Sequence, residues 1–97
     1  MRAIKIDPHS KTIKEIDISD QSELVSIIGC DRLVLTPLDR GINLLSGEDD
    51  ETKPSFGFYG LPDLKLYGVG VVVGGSRKRL RPLHEELKSF EMTVEWR

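Results

Sequence analysis

The chain has 97 residues, with 14 Lys and Arg against 16 Asp and Glu (net charge −2), 38% hydrophobic residues and a single cysteine. That length sets one domain, and one cysteine excludes both an internal disulfide and a cysteine-rich zinc site, so a reducing cytosol is the expected compartment. No apolar run approaches the roughly 20 residues of a membrane span, the charged start Met1-Arg2-Ala3-Ile4-Lys5 lacks a signal-peptide core, and a slightly acidic total argues against general coating of nucleic acid.

Arg2–Asp7 is predicted as the first strand, with Ile4 and Ile6 on one face at a period of two. Asp7-Pro8-His9-Ser10 supplies a turn in which Pro fixes φ and Asp caps. A second strand is expected from about Thr12 to Ile18. Ile13 falls out of phase with Ile16 and Ile18, which predicts a bulge near Lys14-Glu15. Asp20 and Glu23 carry the spacing of a capping box. Leu24, Ile27 and Ile28 then recur at helical spacing, and Gly29 is a natural stop, giving a first helix of about nine residues. Leu33-Val34-Leu35 is apolar at successive positions and is read as an interior strand covered on both faces. Pro37 to Gly41 turns it into a fourth strand, Ile42 to Leu45.

The segment Phe56–Gly75 holds six glycines. Phe56 to Tyr59 is a short strand or irregular edge. Leu64-Lys65-Leu66-Tyr67 alternates and runs into Val69 and Val71-Val72-Val73, the strongest β signal of the chain, with glycines that imply a bend or close backbone approach. Pro82 at a first helical turn, followed by Leu83, Leu87 and Phe90, predicts a second helix from about Pro82 to Ser89 or Phe90. Met92 to Trp96 alternates as a final strand. The expected architecture is α+β, a small single domain of mostly antiparallel sheet with two short helices, in the order ββαββ(β)βαβ.

Charge is unevenly distributed. Residues 1–55 hold seven cations and eleven anions, and residues 56–97 hold seven and five. Most of the contrast lies in the acidic run Glu48-Asp49-Asp50-Glu51 and the basic run Arg77-Lys78-Arg79-Leu80-Arg81, both read as solvated loops. Adjacent Gly74 and Gly75 allow a nest of backbone amides which, with Arg77, Lys78 and Arg79, would hold a phosphate. The plain alternative is a glycine turn with solvated cations. The G-x-G at Gly68–Gly70 is not in a strand-to-helix turn and is no dinucleotide fingerprint. Phe56-Gly57-Phe58-Tyr59 has the aromatic spacing of an RNA-stacking strand, against the simpler reading of core packing; Tyr59 and Tyr67 flank the glycine-rich segment as candidate base-stacking rings. Cys30 follows a helix C-terminus, where the dipole disfavours a reactive thiolate. His9 and His84 lack metal-ligand spacing, and no nucleophile–base set can be assembled. No metal, cofactor or catalytic residue is expected.

Met1 to Pro8, Thr12 to Ile16, Ile28-Gly29-Cys30-Asp31 and the strand Gly68 to Gly74 together resemble a group of small proteins carried by bacteriophages, prophages and other mobile elements. These open with a hydrophobic-Asp-Pro hairpin. The resemblance covers residues 1–45 and 66–75 and implies an accessory protein acting in bacterial cytosol. The basic Ser76-Arg77-Lys78-Arg79 and the loop 48–60 depart from the group's pattern and are where a particular activity would be grafted.

The expected function is therefore a non-enzymatic binding protein that interferes with a host process, antiviral defence above all. It would sequester a nucleotide-like ligand through Tyr59, Tyr67, Gly74, Gly75, Arg77, Lys78 and Arg79, or occlude a host protein through Glu48, Asp49, Asp50 and Glu51. The alternatives are a nucleic-acid-binding accessory module and a nucleotide-processing enzyme. Open sheet edges make self-association a further expectation.

Overall fold

The computed structural model describes residues 1–97. Eleven elements follow in chain order: β1 (Arg2–Asp7), β2 (Thr12–Asp17), α1 (Ser22–Ile28), β3 (Val34–Asp39), β4 (Ile42–Ser46), β5 (Ser55–Phe58), β6 (Leu61–Tyr67), β7 (Gly70–Gly75), β8 (Leu80–Arg81), α2 (Leu87–Thr93) and β9 (Val94–Trp96). The fold is α+β with antiparallel pairing throughout. One sheet has the order β2-β1-β7-β4-β3, with β8 paired to one end of β7, and a second has the order β6-β5-β9.

The five long strands of the first sheet form a middle layer, because their side chains alternate between two separate clusters. Ala3, Leu45, Val71 and Val73 face one way and pack with Leu24 and Ile28 of α1. Ile4, Ile6, Leu44 and Val72 face the other way and pack with Phe56, Phe58 and Leu66 of the second sheet, Leu83 and Phe90. β7 lies in the centre, and Val71, Val72 and Val73 are wholly buried. A strand covered on both faces needs a continuous apolar run rather than alternation. Gly70 sits where Phe56 and Leu44 leave no room: a Cβ there would lie 2.8 Å from the Phe56 ring and 3.0 Å from Leu44.

Several local expectations are met. β1 spans the predicted residues. Gly29 ends α1 at φ +78° with its N–H donating to Val25 O, a left-handed stop that glycine adopts without a Cβ clash. The capping box is replaced by a looser arrangement, with Asp20 Oδ1 accepting from Ser22 N–H at 3.0 Å and Glu23 accepting from Ser19 N–H at 3.3 Å.

Other expectations are corrected. No bulge interrupts β2, whose register against β1 is continuous from Asp17 to Thr12; Ile13 and Ile16 are out of phase because each joins a different cluster. Leu33-Val34-Leu35 is not an interior strand. β3 is the sheet edge, Pro37 lies within it opposite Asn43, and the irregularity falls between Pro37 and Asp39. The glycine-rich run is two strands in different sheets, β6 and β7, separated at Gly68 (φ +77°). Pro82 does not open a helix. Residues 82–86 are extended connection, α2 begins at Leu87, and Met92 and Thr93 belong to it rather than to the last strand. The reason is the hydrogen bonding of β1: Leu83 N–H donates to Arg2 O at 2.9 Å, and the Arg2 guanidinium takes the carbonyls of Leu83 and Glu85 at 2.8 and 2.6 Å. Carbonyls bound to β1 in this way are not free to start a helix.

Candidate functional site

The residues expected to hold a nucleotide are dispersed. Ser76 and Arg79 exchange backbone hydrogen bonds at 2.9 and 3.1 Å, so Arg77 and Lys78 form the exposed tip of the β7–β8 hairpin. The Gly75 N–H donates to Gly41 O at 3.2 Å. With the amides of Gly75 and Ser76 used inside the fold, the expected nest is not open to a phosphate. The two glycines serve the hairpin's tight return instead: a Cβ on Gly74 would stand 2.6 Å from Pro82 O, and one on Gly75 would overlap Arg79 O.

Tyr59 is 77% exposed in the β5–β6 turn, and Tyr67 lies at the far end of the seven-residue β6, about 20 Å away at some 3.3 Å per residue. They do not form a pair around one base. Tyr67 instead carries the Lys65 ammonium 5.6 Å from its ring centre. Phe56 and Phe58 are buried and meet edge to face with centroids 5.9 Å apart, so the stacking-strand reading of 56–59 fails. Gly57 leaves space for the Arg97 guanidinium, which lies over it and donates to Phe58 O at 3.2 Å and Glu95 at 2.6 Å.

The acidic loop is partly ordered by its own side chains. Asp50 Oδ1 accepts from the Thr52 N–H at 3.1 Å and its hydroxyl at 2.5 Å. These donors, the side-chain hydroxyl first, hold the Asp50 carboxyl below the usual carboxylate range. Glu48 pairs with Arg32 at 3.4 Å, an exposed and weak contact. Cys30 is half-buried with its thiol directed to Arg32 O at 3.3 Å. No three His, Cys, Asp or Glu residues are grouped as metal ligands, and no helix is long and apolar enough to cross a membrane.

What the fold assembles is a groove between the two sheets. The second sheet is narrower than the first, and residues of its edge strand β6 and of the edge strand β3 line a common gap. Three cavities follow one another along the gap. One, about 360 Å³, lies at Val34, Thr36, Glu48 and Asp49 against Leu64 and Leu66. The next, about 390 Å³, shares Thr36 and Leu64 and reaches Leu61 and Asp63. The third, about 360 Å³, shares Leu61 and ends at Asp39, Tyr59, Glu85 and Phe90. Of the four large hydrophobic side chains that stand exposed, Val34, Tyr59 and Leu61 line this groove. Five carboxylates line it (Asp39, Glu48, Asp49, Asp63 and Glu85) against one cation, Lys65. Asp50 and Glu51 lie just beyond its end in the same loop.

A smaller cleft of about 230 Å³ adjoins the Tyr59 end and shares Ile42 and Glu85 with it. Its walls bring together Arg40 of the β3–β4 turn, Gly74, Gly75 and Arg81 of the hairpin, and His84. Val34, Leu61, Asp63, Arg40 and His84 were missed by sequence reasoning. A signal was present for the groove: Pro37 and Pro62 each interrupt a strand pattern, which marks edge strands protected from pairing. Comparison with protein-family models, curated proteins and solved structures returned no match.

Proposed function

We propose that this chain is a small non-enzymatic binding protein that occludes a basic, extended segment of another protein in the groove between β3 and β6. The observation that carries the reading is the coincidence, on one groove, of three of the four exposed large hydrophobics with five carboxylates and a single lysine. Apolar positions supply the burial that drives association, and the carboxylates select Lys- or Arg-bearing segments and speed encounter. Pro37 and Pro62 disfavour added strand pairing, so recognition rests on side chains. Glu48 and Asp49 contribute at one end, with Asp50 and Glu51 adding to the field. The resemblance to phage and mobile-element proteins supports a host protein as the target and interference with host defence as the outcome.

A decapeptide alternating Val with Lys or Arg, titrated into the labelled protein, is expected to perturb Val34, Thr36, Leu61 and Leu64, with affinity falling as salt rises. A Glu-for-Lys peptide is expected to leave them unchanged. No perturbation by the basic peptide at low salt would overturn the reading. The triple variant Glu48→Lys, Asp49→Lys, Asp63→Lys is expected to abolish both peptide binding and any relief of defence in phage-plating assays.

A further inference from the structure

The cleft beside the groove has a different chemistry. We propose that it is a binding site, adjoining the groove and sharing its Tyr59 end, for a phosphomonoester with a ring-bearing body, of the mononucleotide class, in which Arg40 and Arg81 hold the phosphate, His84 borders it, and the ring lies toward Tyr59. This goes beyond capture of a basic segment, which uses the carboxylates of the groove.

Three features support it. The first is uncommitted charge: none of the four ion pairs in the molecule involves Arg40 or Arg81, yet both residues line one cleft together with His84. Paired guanidinium forks match the oxygens of a phosphate better than they match each other.

The second is rigidity. Each wall of the cleft is tied down by hydrogen bonds. The β3–β4 turn is joined to the hairpin by Gly75 N–H to Gly41 O at 3.2 Å. The hairpin base is held by the Asn43 side-chain amide, which donates to Gly75 O at 2.8 Å. The segment bearing His84 is fixed by Arg2, which takes the carbonyls on either side of it, those of Leu83 and Glu85. Walls set before a ligand arrives cost less ordering on binding.

The third is shape. Gly41, Gly74 and Gly75 give the cleft bare backbone walls, and its volume of about 230 Å³ suits a charged head group. It opens across Ile42 and Glu85 into the cavity of about 360 Å³ that holds Tyr59, Phe58 and Phe90, room and apolar surface for a ring. Glu85 is the one carboxylate in the smaller cleft. It lies at the junction, where a ligand's hydroxyl donors rather than its phosphate would meet it. The sequence suggested Tyr59, Gly74 and Gly75 for such a ligand but assigned the phosphate to Arg77, Lys78 and Arg79. The geometry moves that role to Arg40 and Arg81.

The test is calorimetry and amide-shift mapping with adenosine 5′-monophosphate, adenosine and inorganic phosphate. The monophosphate is expected to bind at least about tenfold tighter than either fragment and to shift the amides of Gly41, Gly74, Gly75 and His84. The double variant Arg40→Gln, Arg81→Gln is expected to lose at least about tenfold in affinity at an unchanged thermal midpoint, while Arg77→Gln, Lys78→Gln keeps wild-type binding. Equal affinity for adenosine and its monophosphate, an absence of shifts at Gly74 and Gly75, or loss in the Arg77/Lys78 variant instead would overturn the assignment. Each of these results is independent of whether the groove takes a basic peptide.

Discussion

The two faces of the central sheet are covered to different extents. On one, α1 lies over Ala3, Leu45, Val71 and Val73, while Ile16, Leu33 and Leu35 close the flanks. On the other, a three-stranded sheet covers β1, β7 and β4 but leaves β3 beside a gap. Both faces are apolar, so the difference does not lie in hydrophobicity. It lies in width: a covering layer narrower than the layer beneath leaves a strip where apolar side chains meet solvent. Val34, 47% exposed while its neighbours Leu33 and Leu35 are packed against the helix face, marks that strip.

The contrast can be broken by substitution. The largest effect is expected for Phe56→Ala, which empties the middle of the sheet–sheet cluster and should cost about 3–5 kcal/mol by chemical denaturation. Leu24→Ala, under the short helix, should cost about 2–5 kcal/mol but less than Phe56→Ala; the reverse order would mean the helix face holds the fold. Gly70→Ala should cost about 1–3 kcal/mol through overpacking against Phe56 and Leu44, and Phe56→Leu in the same chain should recover part of it. Val34→Lys and Leu61→Lys, in the uncovered strip, should change stability by no more than about 0.5 kcal/mol while removing basic-peptide binding. A large loss of stability from either would show that the gap is closed in solution.

The smallest effect is local and pH-dependent. Because the Thr52 donors favour the ionised form of Asp50, its folded-state pKa lies below the ordinary 3.8. The turn they form is fully stabilised above that ordinary value and is lost as pH falls through the lower, folded one. An NMR titration should show the Thr52 amide and the Asp50 carboxyl moving together below the ordinary range, with the global unfolding midpoint little affected. Thr52→Val should return Asp50 toward its ordinary value.

Local signals in the sequence carried well where chain neighbours decide the outcome. β1, the Gly29 stop and the strand from Ile42 needed only alternation, a glycine and a short turn. They failed where distant residues decide. The helix expected at Pro82 was displaced because Arg2, 81 residues earlier, takes the Leu83 carbonyl. Leu33-Val34-Leu35 has the pattern of a buried strand, but whether a second layer reaches Val34 depends on where β6 ends. The acidic loop was visible as a segment, whereas its groove required residues 34–39 and 61–66 to face one another. The cationic cleft was harder still, since Arg40 lies in the β3–β4 turn while Arg81 ends β8 and His84 follows it in the next connection, and none belongs to a motif.

The position of β7 has a consequence for how the chain is made. β1–β2 and β3–β4 are hairpins with close partners in sequence, but the only strand joining them in the sheet is β7, at residues 70–75. Until that strand leaves the ribosome, the two hairpins have no common layer and each exposes apolar faces on both sides. Such late, non-local closure slows folding and leaves the nascent chain open to aggregation. Stalled chains ending near residue 69 should therefore be protease-sensitive, and protection should appear abruptly once Val71-Val72-Val73 has emerged.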